Sequence, residues 1–204
     1  MSVPPPAGPG VLIYWIPLGA GGSGIVRASG RLYERIVAQR EHRPPLSLLH
    51  TALEVRIPAG SYIVETVWPP PDTQGVARGV VMEAPVGARP LGRLRAFRYE
   101  VRCWLNGVLP DAGDAVGGPQ TLSTDSTVAA RLLEVTALLP PLMWGRDQAR
   151  AGEMWNSNSV ISWLLTAVGL DMDLIQPPSG GRAPGWRAGI SVARQAFDAG
   201  STEA

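Results

Sequence analysis

The sequence predicts an α+β fold built as one domain, on three observations. Short apolar runs of strand length cluster in one block, Leu48 to Leu105. Helical spacing lies before that block and after it, without the strand–helix alternation of a doubly wound sheet. The 24 glycines and 20 prolines break the chain too often for a helix bundle. The expected sheet is antiparallel, with about four to five strands packed against helices. A length of 204 residues suffices for one full core. Residues 1–10 read as a loose Pro/Gly-rich lead-in and residues 11–204 as the domain.

Val11 to Ile16 is uniformly apolar, as a buried strand requires. Gly19 to Gly24 is a glycine-rich turn, and Ile25 to Arg40 has helical spacing with Val26, Leu32, Ile36 and Val37 facing inward. Pro44-Pro45 stops that helix. Leu48 to Ile57 and Tyr62 to Trp68 form a hairpin through Pro58-Ala59-Gly60-Ser61. Val76 to Ala84 and Leu94 to Leu105 are further strands, the second with Tyr99, Val101, Cys103 and Leu105 on one face. Asn106 to Gln120 is a long Gly/Asp-rich loop. Ser123 to Leu139 is a helix capped at Ser126 or Thr127 and ended by Pro140-Pro141. Ser159 to Gly169 is a helix with a glycine stop, and Ala188 to Ala199 forms a last short one.

A formal net charge of +1 gives no overall footprint for nucleic acid or an anionic membrane. All 18 basic residues are arginine, which reads as a genomic bias. One cysteine excludes an internal disulfide and fits a reducing compartment. Met1 to Pro6 lacks the basic start of a signal peptide, and Val11–Leu18 and Val160–Leu170 are too short to span a bilayer. A soluble cytoplasmic protein is expected, with no transmembrane segment.

Trp155-Asn156-Ser157-Asn158-Ser159 stands directly before an apolar run, as a helix N-terminus is written. Free N–H groups and the helix dipole suit a nucleophile or an anion there. His50 opens a strand far upstream. A serine hydroxyl needs a base, and histidine titrates near working pH. Convergence would make Ser157 and His50 a nucleophile–base pair; otherwise they are a helix cap and a core histidine. Glu65, on the next strand, either orients His50 or is an ordinary exposed carboxylate. Trp155 flanks the motif, and Trp186 with Arg182 lies on a Gly/Pro loop suited to lining a pocket.

Other constellations are weaker. Gly19 to Gly24 matches G-x-G-x-x-G between a strand and a helix, but the chain does not continue as βαβ, so a glycine turn is the better reading beside a nucleotide site. Cys103 alternates with apolar neighbours and reads as an inert core residue. Asp171 and Asp173 lack further ligands and read as a loop or cap, so neither metal nor cofactor is expected.

The order of His-strand, second strand and later polar helix start resembles the circularly permuted papain-like superfamily, which includes NlpC-type peptidases and lecithin:retinol acyltransferase-like proteins. His50-Thr51-Ala52-Leu53-Glu54-Val55, Tyr62-Ile63-Val64-Glu65 and Pro69-Pro70 are similar to the strand pair of the acyltransferase branch. Asn156-Ser157-Asn158-Ser159-Val160 resembles the Asn-Ser-Asn-Thr-Phe helix start of a bacterial branch and the Asn-Asn-Cys-x-x-Phe motif of cysteine-bearing relatives. The resemblance implies a permuted papain-like domain with His50 as base, Glu65 as orienter and Ser157 in the cysteine position. It implies a hydrolase or acyltransferase acting on an amide or ester of a peptide, cell-wall fragment or lipid. A serine at a helix start is not ionised by the dipole, so Ser157 depends on His50. Asn156, Asn158 and Ser159 would shape the site, with N–H groups near Asn158 and Ser159 holding an oxyanion. The alternatives are a non-catalytic papain-like binding domain using Trp155 and Trp186, and a nucleotide-binding protein using Gly19–Gly24.

Overall fold

The computed structural model describes residues 8–20, 24–69 and 79–200. Among these residues eleven strands and α-helices follow one another: β1 (Gly10–Pro17), α1 (Gly24–Arg40), β2 (Ser47–Ile57), β3 (Gly60–Val67), β4 (Val80–Pro85), β5 (Arg98–Leu105), β6 (Gln120–Ser123), α2 (Ser126–Val135), α3 (Ser157–Ala167), β7 (Gly181–Arg182) and α4 (Trp186–Gly200). The fold is α+β. An antiparallel sheet runs in the order β4-β5-β3-β2-β1-β6, and β7 adds to the start of β2 in parallel. Among the described residues the sheet thus has seven strands rather than about four to five. The extra ones are the four-residue β6 and the two-residue β7. Neither carries apolar alternation; they exist because edges of β1 and β2 offer backbone partners.

Both faces of the sheet are covered, which is why β1 is buried along almost its whole length. Val11, Ile13 and Trp15 of β1, Leu53 and Val55 of β2, Val64 of β3 and Val101 of β5 share a core with Leu132 of α2 and Ile161, Leu164 and Leu165 of α3. Burying each such aliphatic side chain contributes about 1.5–3 kcal/mol over leaving it exposed. On the opposite face Tyr14, Ile16, Ala52 and Ile63 pack under Leu109, Ala112 and Ala115 of the loop after β5.

Helix α3 is buried on nearly all sides, between the sheet, α2 and α4. Gly189 makes this possible: a Cβ there would collide with Ser159 O and Ser162 Oγ, so α4 lies directly on the α3 backbone. Ser162 Oγ donates to Trp186 O (2.7 Å) across the same seam.

Helix α1 departs from expectation. Leu32 and Ile36 are 60% and 42% exposed, while Gly30, Glu34 and Ala38 are buried; the Val26 side chain lies outside the described residues. The inward row is i, i+4, i+8 with small residues and one carboxylate. Gly30 allows Leu18 to close on the helix, since a Cβ would sit 2.7 Å from Leu18 Cδ2. Glu34 accepts from Arg43, from Leu46 N–H (2.9 Å) and from Arg182 (3.2 Å). A hydrophobic count could not foresee a helix docked by an ion-pair network.

The remaining differences are local. Arg89–Arg93 and Arg95–Phe97 form 3-10 turns ahead of β5, with proline near the start of the first. Asp125, not Ser126 or Thr127, caps α2 by accepting from Thr127 N–H (2.7 Å), and Thr136–Leu138 tightens into a 3-10 turn. The expected strand from Val76 falls on undescribed residues up to position 78, as do residues 1–7 of the lead-in. No helix among the described residues is long and apolar enough to cross a membrane.

Candidate functional site

Asn156 begins the site. Its Oδ1 accepts from the N–H groups of Asn158 (2.9 Å) and Ser159 (3.4 Å), and the Ser159 hydroxyl accepts from Asn156 N–H (3.1 Å). This reciprocal cap fixes the first turn of α3. Gly185, at φ 84°, brings its loop against that turn; a Cβ would lie 2.6 Å from Ser159 Oγ and 2.7 Å from Asn156 Oδ1.

Asn158 ties the helix start to β2. Its Nδ2 donates to Leu49 O (2.9 Å) and Pro184 O (2.9 Å), and its Oδ1 accepts from Thr51 Oγ1 (3.1 Å). The two β2 contacts flank His50 on either side in sequence. His50 and Ser157 therefore line one cavity of about 540 Å³, together with Asn156, Asn158, Tyr33, Thr66, Trp68, Trp144 and Met154. Ser157 is 8% exposed, and among the described residues neither its hydroxyl nor its N–H has a hydrogen-bond partner. No hydrogen bond joins it to His50.

The carboxylate bonded to His50 is Asp111, whose Oδ2 lies 3.2 Å from Nε2. Burial alone would raise the Asp111 carboxyl, but the bond and charge of His50 and a backbone N–H hold it below the usual carboxylate range. An ionised Asp111 can only accept, so Nε2 carries the proton of this bond, and in the neutral imidazole Nδ1 is then the acceptor. Strand alternation puts His50 on the sheet face of Tyr14, Ile16 and Ala52, while Thr51 points to α3.

Glu65 makes no hydrogen bond to His50. It stands opposite Arg102 of β5. Burial pushes its carboxyl up, Arg102 pulls it down, Asp111 pushes it up again and His50 pulls it down, with a net rise. The other expected site residues divide. Asn156 and Asn158 line the cavity with side chains already engaged in the cap and clamp. Ser159 is fully buried and its hydroxyl donates to Gly185 O (2.8 Å). The N–H groups of Asn158 and Ser159 belong to the cap, which leaves Ser157 N–H as the unoccupied donor.

Trp155 and Trp186 are core residues, not cavity walls. Trp155 Nε1 donates to Tyr99 OH (3.0 Å), which donates to Leu142 O (2.7 Å). Trp186 packs on Trp15, ring centroids 4.9 Å apart. Both indoles belong to the main hydrophobic cluster, where their large apolar area is withdrawn from water. Arg182 is taken by Glu34 and Glu41, away from the cavity. The aromatic wall is Trp68 on Trp144, centroids 5.6 Å apart.

The glycine motif runs through Gly21–Ser23, outside the described residues. β1 and β2 pair antiparallel, whereas a dinucleotide crossover joins parallel strands. Cys103 is half-buried on β5, and burial pushes its thiol up to about 11, so it is neutral near pH 7. Asp171 Oδ1 accepts from Asp173 N–H (3.0 Å) in a local turn. The described residues hold no group of three potential metal ligands.

Sequence spacing missed Asp111, Thr51, Tyr33, Trp68 and Trp144. Asp111 lies 61 residues from His50, and its sole local signal is the turn composition of Pro110-Asp111-Ala112-Gly113. Set against protein-family models, curated proteins and solved structures, the chain matches none.

Proposed function

We propose that this domain is a serine-type acyl-transfer enzyme on a permuted papain-like frame, acting on an amide or ester in the cytoplasm. The observation that supports it most is the Asn158 clamp, which holds the strand on both sides of His50 to the helix start that carries Ser157. In the proposed reaction Ser157 Oγ attacks the carbonyl carbon and its proton passes to His50 Nδ1. Asp111 keeps the proton on Nε2 and stabilises the imidazolium. The Ser157 N–H faces the developing oxyanion. His50 then returns the proton to the departing amine or alkoxide, and water, or an acceptor hydroxyl, releases the acyl group by the reverse sequence. His50 and Ser157 are not hydrogen-bonded as they stand, so the pair must close on substrate, as catalytic hydrogen bonds often do. Trp68, Trp144 and Met154 fit an apolar acyl portion from a peptide, cell-wall fragment or lipid.

Incubation with an alkyl fluorophosphonate is expected to add one phosphonyl group on Ser157. Ser157→Ala should abolish both the adduct and ester hydrolysis while leaving the circular dichroism unchanged. An unlabelled Ser157, or hydrolysis undiminished in Ser157→Ala, rejects the enzyme.

A second reading, a non-catalytic binding domain, is favoured by one observation: His50 occupies the sheet face opposite the one that meets α3. It predicts saturable binding of an apolar ligand, weakened by Trp144→Ala, with no covalent adduct.

A further inference from the structure

Helix α1 has two faces with different duties. Gly30 and Tyr33 wall the cavity, and Glu34 and Ala38 anchor the helix. The outward face carries Ala28, Leu32 and Ile36 in one i, i+4 row, all exposed. Arg31, Arg35 and Arg40 are exposed beside that row and make no ion pair among the described residues. The lone acid of the helix, Glu34, is 2% exposed and consumed by Arg43 and Arg182. The outer surface is thus cationic and apolar at once, although the whole chain is near neutrality. Trp68, another lining residue of the cavity, is 53% exposed.

We propose that the outward face of α1 docks on an anionic lipid bilayer, with Leu32 and Ile36 inserted at the headgroup boundary and Arg31, Arg35 and Arg40 on lipid phosphates. Charge complementarity selects this occupant: three guanidinium groups without an ion pair among the described residues are exposed, with no exposed carboxylate in the helix. The apolar row argues for a bilayer over nucleic acid, because leucine and isoleucine gain nothing against a phosphate backbone. Docking is peripheral and places the cavity beside the lipid surface. It stands independently of the acyl-transfer reading, and none of its tests measures activity.

Flotation of the full chain with phosphatidylcholine vesicles, with and without phosphatidylglycerol, tests the proposal. Protein is expected to float only with the anionic vesicles, and less as salt rises. Replacing Arg31, Arg35 and Arg40 together by Gln should lower partition roughly 100-fold, about five-fold per charge. Replacing Leu32 and Ile36 together by Asn should lower it roughly ten-fold or more. Both variants should melt like the parent, since the altered side chains are exposed. An environment-sensitive dye on Leu32→Cys should shift to the blue on vesicle addition; Cys103, half-buried with a raised thiol, does not compete. Absence of flotation, or flotation unchanged in the Asn variant, overturns the proposal. Binding to a single-stranded oligonucleotide without flotation assigns the face to nucleic acid instead.

Discussion

Asn158 satisfies three partners from a position 97% buried, so its contribution is large for one polar side chain. Asn158→Ala removes the side-chain partner of Thr51 Oγ1 and of Leu49 O, while Pro184 O keeps its bond from Asn156 Nδ2 (2.9 Å), and is expected to cost about 2–3 kcal/mol, read as a lower urea midpoint at unchanged slope. Asp111→Asn removes the charge that fixes the His50 tautomer. Under the acyl-transfer reading it should slow fluorophosphonate labelling of Ser157 about 100-fold while sparing the fold. Equal labelling rates would mean that His50 does not act through Asp111. The two residues also mark how far the sequence could be read. Asn156-Ser157-Asn158-Ser159 announced a helix cap, and Asn156 and Ser159 form it. That Asn158 would turn away to grip β2 depends on which strand folds beneath it, and no local pattern carries that.

Among elements, legibility followed apolar periodicity. β1, β2, β3 and α3 bury continuous or alternating apolar runs, and each was readable to within a few residues. Features fixed by other forces were not. β6 is a polar edge strand, and α1, whose span was read to within one residue, has its inward face set by Glu34 and by the absence of a side chain at Gly30. The α3–α4 seam depends on Gly189 in the same way. Gly189→Ala would push α4 off the buried helix α3, with an expected loss of about 1–3 kcal/mol or more in chemical denaturation. Gly189→Ser should be at least as damaging, whereas Ala substitution at exposed Gln195 of the same helix should be nearly neutral.

For the molecule as a whole, ionisation gives a pH signature with a definite sign. Burial would raise Glu54, but bonds from Arg56, Tyr14 and Ser61 hold it below the usual range; Glu34 is lowered likewise by Arg43, Leu46 N–H and Arg182. A depressed carboxyl contributes stability above its unfolded pKa of about 4.3 and loses it as pH falls through the folded value. The melting temperature should therefore fall steeply only in acid. Glu65 has the opposite sign: its raised carboxyl is harmless below about 4.3 and costs stability as pH rises through the folded value. Glu65→Gln should raise the melting temperature near pH 7 and leave it unchanged near pH 4. A gain that is the same at both values would show that charge is not the cause.

The chain enters α1 and returns from it at the same end of the sheet. Pro17 sits opposite Leu49, and Leu18 N–H donates to Leu48 O (2.8 Å), so β1 and β2 already meet as a hairpin would. The described part of the chain between Gly19 and Leu46 is topologically a decorated bend. Excision with a two-residue turn in its place would leave the strand register and both hydrophobic clusters their main members. Such a trimmed scaffold would separate what the sheet and α3 supply from what the appended helix adds, and the same splice point would accept a foreign segment.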